Sequence, residues 1–221
     1  MARTAGSSPN RTPVRSTRNR PTDDELLDAA RTVIAEVGAE RATMDMLAES
    51  GGTTRVTLYA HFGSRDKLVA RVIQRELDVF TSWMFAVYDD SEDMQFGPRA
   101  RFTVESLFEY ARRHPEGFRV LIGHREGTDD PGRRLYAVLV PKIADRLRAN
   151  YAARGEPIGA SADTLASLLL GISLDVAYRA LIVDGADIDK ACDLAVTATF
   201  AVLRDVRPEQ LRAIDASLDG R

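Results

Sequence analysis

The chain has 221 residues, 44% of them hydrophobic and 29% charged, and a formal net charge of -3. These proportions are ordinary for a soluble globular protein, and the length suffices for one large or two small domains. The single cysteine, Cys192, excludes an internal disulfide and fits a reducing cytoplasm. No signal peptide is visible, and the longest apolar stretch, Leu165 to Leu174, is too short to span a bilayer. The sequence therefore predicts a cytoplasmic protein with no membrane contact.

Charge is unevenly distributed along the chain. Residues 1–75 carry twelve Arg and Lys against nine Asp and Glu, whereas the remainder is acidic. Residues 1–20 contain five arginines, no acidic residue and no apolar periodicity, so they cannot bury enough surface to fold alone. Two interpretations of this basic segment stay open: a flexible arm that contacts phosphates, or a solvated tail.

The first predicted helix runs from Asp23 to Val37, with apolar residues at the 3.6-residue period. Thr22 and Glu25 form a capping-box pattern at its start, and Gly38 stands where a C-terminal glycine cap belongs. The spacing thus predicts one amphipathic helix with defined ends.

Two short helices follow, at about Thr43 to Glu49 and Thr54 to His61, separated by Gly51 and Gly52. Glycine tolerates the positive φ that a sharp turn between helices needs. We expect the second helix to bury Val56 and either Tyr59 or Leu58. Its N-terminal edge then points outward, and hydroxyls with a guanidinium there suit a DNA major groove. The outward residues are Thr53, Thr54, Arg55 and Thr57.

Residues 22–73 resemble the DNA-binding domain of the tetracycline-repressor (TetR) family of transcriptional regulators. The strongest pieces are LLDAA, Thr43 followed by Leu47-Ala48-Glu49, and TLYAHFGSRDKL. The resemblance implies that Thr43 and Tyr59 touch DNA phosphates, that the residues after the turn face the groove, and that Arg65 lies over a phosphate. The DNA-binding residues expected on this basis are Thr43, Thr53, Thr54, Arg55, Thr57, Tyr59, His61 and Arg65, joined by Arg18 and Arg20 of the basic segment.

This chain departs from the family pattern at three places. Gly51-Gly52-Thr53 replaces the usual Ala-Gly-Val of the turn, Val56 stands where the family often has glycine, and Arg65 stands where it often has lysine. These changes bear on the DNA sequence that is read, and not on DNA binding itself.

The rest of the chain predicts further helices and no strand, so the fold class is all-α. A long helix at 64–88 joins the helix-turn-helix head to the remainder, and Asp89 to Arg99 reads as a loop with Gly97-Pro98 as a break. Later helices are expected at about 100–113, 115–122, 133–153, 162–183, 187–205 and 208–217. The predicted domains are a basic arm (1–20), a helix-turn-helix domain (21–63) and a helical effector-binding and dimerisation domain (64–221).

Aromatic and methionine side chains are plentiful in the later helices. The resemblance implies a pocket for a small molecule there, whereas plain core packing explains the same residues without a ligand. The candidate pocket residues are Trp83, Met84, Phe102, Phe108, Phe118, Tyr136 and Tyr178.

The last two long helices carry more apolar surface than one buried face needs. The resemblance implies that these helices pair with those of a second subunit, and the alternative is a fully buried helix in a monomer. The candidate interface residues are Leu168, Ile172, Val176, Val196, Phe200 and Leu203.

Patterns typical of catalysis or of metal binding are weak. Three histidines (His61, His114 and His124) do not cluster with other ligands, and no phosphate-binding glycine loop or nucleophile motif is present. We expect no enzyme activity, no metal and no cofactor. The hypothesis is a homodimeric DNA-binding repressor released from a palindromic operator by a small molecule. The alternative is a helical ligand-binding or catalytic protein that retains a non-functional head.

Overall fold

The computed structural model describes residues 21–123 and 131–219. Those residues form ten α-helices and one π-helical turn, with no strand among them. The predicted all-α fold class, with a three-helix head joined by a long helix to a helical body, is confirmed. The basic arm and His124 lie outside the described residues.

The helices follow one another with short connections. Their bounds are α1 Asp23–Val37, α2 Met44–Ser50, α3 Arg55–Phe62, α4 Arg65–Asp90, α5 Phe96–Arg113, α6 Pro115–Ile122, α7 Pro131–Ala153, α8 Ser161–Tyr178, α9 Ile188–Asp205 and α10 Pro208–Asp219, and the π-turn is Arg179–Val183. We call α1 to α3 the head and α5 to α10 the body, with α4 as the linking helix.

Side-chain caps define the helix starts in the head. The Thr22 and Glu25 capping box is complete, since Glu25 Oε2 accepts from Thr22 N at 2.7 Å and Thr22 Oγ1 accepts from Glu25 N at 3.3 Å. Thr43 and Ser64 cap α2 and α4 in the same way, each by accepting a backbone N–H three residues on. Residues close together in the sequence therefore fix where these helices begin.

The two glycines of the turn between α2 and α3 have different surroundings. Gly52 has a φ of 57°, in the left-handed region that side chains disfavour. A Cβ on Gly51 would lie 3.0 Å from Leu26 Cδ2 of α1. Gly51 thus permits close approach to α1, while Gly52 reverses the chain.

The expectation that α3 buries Val56 is wrong. Val56 is 77% exposed and Tyr59 is 49% exposed, whereas Leu58 is 1% exposed and Phe62 is also buried. Residues four apart share one helix face, so Leu58 and Phe62 point inward together. Val56 lies two residues earlier, on the opposite face.

The linking helix α4 belongs to two cores. Its first part, from Leu68 to Ile73, packs with the apolar faces of α1, α2 and α3, and Val120 of α6 reaches the same cluster. Its second part, from Leu77 to Tyr88, packs within the body. If α4 moves relative to one of the two cores, its packing in the other core therefore has to change as well.

The predicted loop at 89–99 is too long. Helix α5 begins at Phe96, so Gly97 and Pro98 lie in its first turn. Proline is tolerated there because the first backbone N–H groups of a helix have no intrahelical partner. The connection is instead residues 91–95, whose Glu92 and Met94 carbonyls each accept from Arg99 Nη2 at 2.6 Å.

Helix α8 and the π-turn are unusually apolar, with a mean hydropathy of 1.7 over a window of Ser161–Val183. By length and composition alone this segment would also suit a membrane span, and only 33% of the window is buried within the chain. Its inner face packs on α7 and α9, while Leu168 and Val183 are about half exposed. A large apolar face is thus left at the surface of the isolated chain.

Candidate functional site

The outward edge of α3 follows the turn of the head. Thr54, Arg55, Val56 and Tyr59 are exposed, and Thr57 is half-buried. The inward side chains Leu58 and Phe62 fix the helix on the head core, so the outer edge is presented by a rigid support. The geometry brings the predicted Thr/Arg residues together on one accessible surface.

The threonine hydroxyls of this edge are partly committed to the helix. Thr54 Oγ1 accepts from Thr57 N at 3.2 Å and lies 3.0 Å from Thr57 Oγ1. Each hydroxyl nevertheless keeps hydrogen-bonding capacity for a second partner. Thr43 caps α2 and is exposed at the neighbouring helix start, where its hydroxyl accepts from Met46 N.

Arg55 is paired within the head rather than free. Its Nε lies 3.2 Å from Asp45 Oδ1 of α2, and both side chains are more than half exposed. Such a pair is worth little in water, because solvent and salt screen it. Arg55 can therefore exchange Asp45 for a phosphate or a guanine edge at small cost.

Two predicted DNA contacts have partners inside the head. His61 Nδ1 lies 2.5 Å from Asp23 Oδ1 at the start of α1. Arg65 Nε donates to Ala42 O at 2.7 Å, and its Nη2 donates to Glu40 O at 2.9 Å and to Ala39 O. In this arrangement the Arg65 guanidinium ties the connection between α1 and α2 to the start of α4.

Two further side chains join this surface, and neither was among the candidates. Val56 was expected inside, yet its exposure places an apolar group between Arg55 and Thr57. Lys67 is exposed in the first turn of α4, beside Gly63. Its place in the sequence, three residues after a helix N-cap, could have identified Lys67 as a further cation on this surface. Arg18 and Arg20 lie outside the described residues.

A family model described as bacterial regulatory proteins, tetR family, matches residues 26–72. The head and the start of α4 therefore belong to the tetR family. The match covers α1, α2, α3 and the start of α4, which are the helices that build the exposed edge. The recognition from sequence is confirmed.

Individual relatives extend the comparison. The transcriptional activator FasR of Mycolicibacterium smegmatis is 31% identical over 97 residues, 44% of this chain and 43% of FasR. The transcriptional repressor KstR2 of the same species is 34% identical over 80 residues, 36% of this chain and 37% of KstR2. Both matches thus span less than half of the relative. A TetR-like regulator from Rhodococcus sp. RHA1 is similar in fold, with a TM-score of 0.66 at 23% identity, over 83% of this chain and 96% of that one.

The junction between head and body is a charged cluster. Arg31 of α1 lies 3.1 Å from Glu116 of α6 and 3.7 Å from Glu76 of α4. The Glu76 side chain is only 6% exposed, and Arg75 also lies 3.5 Å from it. A buried carboxylate needs such cationic partners, because burial alone would disfavour its charge. Three helices are therefore joined at the Arg31 guanidinium.

A cavity of about 90 Å³ lies in the body between α4, α5, α7, α8 and α9. Of the seven residues predicted for a pocket, Met84 alone lines this cavity. The other six do not line this cavity, since aromatic content does not say which helix face a side chain occupies. The lining is Met84, Tyr88, Phe96, Arg99, Ala100, Thr103, Val104, Leu107, Ile143, Arg146, Leu147, Leu169, Leu170, Ser173, Thr199 and Leu203.

The other predicted pocket residues have separate environments. Phe118 is fully buried in the core beside Phe80. Trp83 donates from Nε1 to Ser106 O at 3.0 Å, and the Tyr178 hydroxyl lies 3.5 Å from Gly123 O. Tyr136 packs against the core from the edge, and Phe102 and Phe108 line another pocket of about 390 Å³, which Cys192 also lines.

The candidate interface residues divide into two groups. Leu168 is 49% exposed, while Ile172, Val176, Phe200 and Leu203 are half-buried. Val196 is 3% exposed and belongs to the core of its own chain, so it offers no surface to a partner. That placement is corrected: Val196 faces inward, and Leu194, two residues away and 61% exposed, faces outward.

Within residues 21–123 and 131–219, no group of three or more His, Cys, Asp or Glu is arranged to hold a metal.

Proposed function

We propose that this tetR-family protein is a transcriptional repressor that leaves a palindromic operator when a small molecule binds its body. The observation that carries the proposal is the exposed edge of α3, held on a complete head core by Leu58 and Phe62. KstR2, a repressor, and FasR, an activator, are both similar to part of this chain. Whether the protein represses or activates transcription is therefore part of the test.

The proposal divides the chain into the basic arm (1–20), the DNA-binding head (21–63) and the effector-binding and dimerisation body (64–221). The reading residues are Thr53, Thr54, Arg55 and Thr57, while Tyr59 contacts a DNA phosphate. Thr43, His61, Arg65, Arg18 and Arg20 add contacts to the DNA backbone. An arginine arm next to the head adds phosphate contacts, which strengthen binding at low salt.

Two heads are required for a palindromic operator, so the proposed protein is a homodimer. The exposed apolar side chains Leu168, Val183 and Leu194 on α8, the π-turn and α9 support pairing of these helices with a second copy. Pairing would remove this surface from water, which also accounts for the high hydropathy of α8 in a protein of the cytoplasm.

The effector is proposed to occupy the body cavity and to act through α4. A ligand shifts the equilibrium between two conformations only by its differential affinity for them. Because α4 packs in both cores, and Glu76 is bound by Arg31 of the head, a change in the body alters the position of the head. The function requires no catalysis.

Footprinting on the DNA upstream of the protein's own gene tests the proposal. We expect one protected region with two-fold symmetric half-sites, and Arg55→Ala should lose sequence preference more than non-specific affinity. Arg204→Ala, on an exposed pair far along the chain in α9, is the matched control of equal charge change. A reporter gene behind the operator gives the sign of regulation. Failure of the purified protein to bind duplex DNA at low salt would favour the alternative, a helical ligand-binding or catalytic protein with a relic head.

A further inference from the structure

Five buried side-chain polar atoms have no hydrogen-bond partner among the described residues. The Tyr110 hydroxyl and Asn150 Oδ1 belong to residues that do not line the cavity, and the other three belong to residues that do. These three are the Tyr88 hydroxyl, Arg99 Nε and the Thr199 hydroxyl. Tyr88 and Thr199 are each 4% exposed, so water outside the protein does not satisfy them. Buried polar groups are normally paired, because an unpaired one costs roughly 1–3 kcal/mol. Their concentration around one cavity points to a missing partner inside it.

The chemistry of these groups selects the partner. All three can donate a hydrogen bond, and Arg99 Nε can only donate. The polar residues Thr103 and Ser173 also line the cavity, but their hydroxyls already donate to the Arg99 and Leu169 carbonyls. The unmet need is therefore for an acceptor. A carboxylate is acceptor-only when ionised and has about four lone-pair sites.

The charges around the cavity favour a negative acceptor. Arg99 and Arg146 are the charged residues in its lining. Burial lowers the pKa of Arg146 and the neighbouring Arg99 guanidinium lowers it further, while Tyr88, Glu92 and Asp89 act in the opposite direction. Two guanidinium groups that repel each other are stabilised by an anion placed near both.

The two arginines are fixed in position. Arg146 Nη1 donates to Ser91 Oγ at 3.1 Å and its Nη2 donates to Tyr88 O, while Arg99 Nη2 donates to two carbonyls of the 91–95 connection. Arg99 Nε is left buried and without a partner by this arrangement. Side chains held in this way bind an anion without further loss of conformational freedom.

The remainder of the lining is apolar, with ten Ala, Val, Leu, Ile, Met and Phe side chains among the sixteen residues. We propose that the cavity binds an apolar chain ending in a carboxylate, with the carboxylate accepting from Arg99, Tyr88 and Thr199 and the chain packed among the leucines. At about 90 Å³, the cavity suits a short chain rather than a polycyclic body. The binding of such a ligand does not depend on the proposed function. Only the identification of that ligand as the effector rests on it.

Calorimetric titration of the full chain with four probes tests the head group and the chain separately. Octanoate carries both, 1-octanol has the chain without the charge, octylamine has the opposite charge, and acetate has the carboxylate without the chain. We expect octanoate to bind at least 10-fold more tightly than each of the other three. Equal binding of octanol, tighter binding of octylamine, or no binding of octanoate would each overturn the proposal.

Conservative variants distinguish recognition from a structural role. Tyr88→Phe and Thr199→Val remove only the orphan hydroxyls, so each should weaken octanoate by about 3-fold or more and leave octanol unchanged. Both should keep or raise the thermal midpoint of the unliganded protein, because an unpaired buried group is removed. Ser173→Ala is the matched control, since it lines the same cavity with a hydroxyl that is already bonded. Loss of octanoate and octanol binding in parallel would contradict a role for the hydroxyls in reading the carboxylate.

The same preparations separate this inference from the proposed function. Gel shift on duplex DNA without any fatty acid tests the head, and titration without DNA tests the cavity. DNA binding with no octanoate binding overturns the cavity assignment alone. Octanoate binding by a protein that ignores DNA supports the cavity assignment and overturns the regulator.

Discussion

The Arg31 Nε lies 3.1 Å from a carboxylate oxygen of Glu116, which joins α1 of the head to α6 of the body. The same oxygen of Glu116 accepts from the Thr32 hydroxyl at 3.2 Å. Burial lowers the pKa of Arg31, but the bond to Glu116 and the charges of Glu76 and Asp28 outweigh it and raise the pKa. Arg31 therefore stays charged at the boundary across which an effector signal has to pass.

Replacement of Arg31 by alanine should destabilise the fold. Glu76 would lose one of its two arginine neighbours while its side chain stays 6% exposed, so a poorly compensated charge would remain buried. We expect a loss of about 1–3 kcal/mol in the free energy of unfolding, measured by urea titration. Arg204→Ala, which removes an exposed pair with Asp205, should cost no more than about 0.5 kcal/mol. Equal losses in the two variants would show that the junction is not a stabilising feature.

Replacement of Gly117 by alanine tests the same junction from α6. A Cβ at this position would overlap Glu76 Oε2, so either the carboxylate or α6 has to move. We expect Gly117→Ala to retain DNA binding and to alter the ligand concentration that releases DNA, because the coupling between α6 and α4 changes while the α3 edge does not. Gel shift across a ligand series measures this. Gly155→Ala is a glycine control away from the junction, although its own φ of 74° makes it mildly destabilising. If Gly117→Ala and the unmodified protein release DNA at the same ligand concentration, Glu76 takes no part in the coupling between ligand and DNA binding.

Much of the head could be predicted from the sequence because its signals are local. Capping at Thr22, Thr43 and Ser64 depends on residues three apart, and Gly52 is required by its own φ. The position of α5 was misjudged because Gly97-Pro98 is compatible with a helix start as well as with a loop.

The contacts that depend on tertiary structure could not be predicted from local sequence signals. The sequence does not indicate that Arg65 donates to the carbonyls before α2, since its partners are more than 20 residues away. Most residues that line the cavity could not be named for the same reason: aromatic residues are easy to see in a sequence, whereas Arg99, Tyr88 and Thr199 are brought together only by the packing of α4, α5 and α9. Val196 was placed at an interface because both faces of α9 carry apolar residues.

Removal of the Asp45 carboxylate should strengthen DNA binding. Asp45 holds Arg55 at 3.2 Å and adds a negative charge next to the proposed groove-facing edge. Asp45→Asn frees the guanidinium and removes repulsion of the phosphates, so we expect affinity for duplex DNA to rise several-fold at low salt. The double variant Asp45→Asn, Arg55→Ala should lose most of that gain. Fluorescence anisotropy across a salt series gives both affinities, and a fall in affinity for Asp45→Asn would mean that Asp45 positions Arg55 productively.

Cys192 should react slowly with alkylating reagents, with a pH dependence shifted upward. Burial, followed by the charges of Glu105, Asp193 and Asp189, raises the pKa of this thiol to about 11 from an ordinary 9.0. The thiolate is the reactive form, so the folded protein should carry about 100-fold less of it at pH 8 than an ordinary thiol. The rate of iodoacetamide labelling should therefore keep rising past pH 10 in the folded protein, whereas in concentrated urea it should level off above about pH 9. Restricted access alone would lower the rate at every pH without moving the midpoint, so a folded-state midpoint near 9 would contradict the shift.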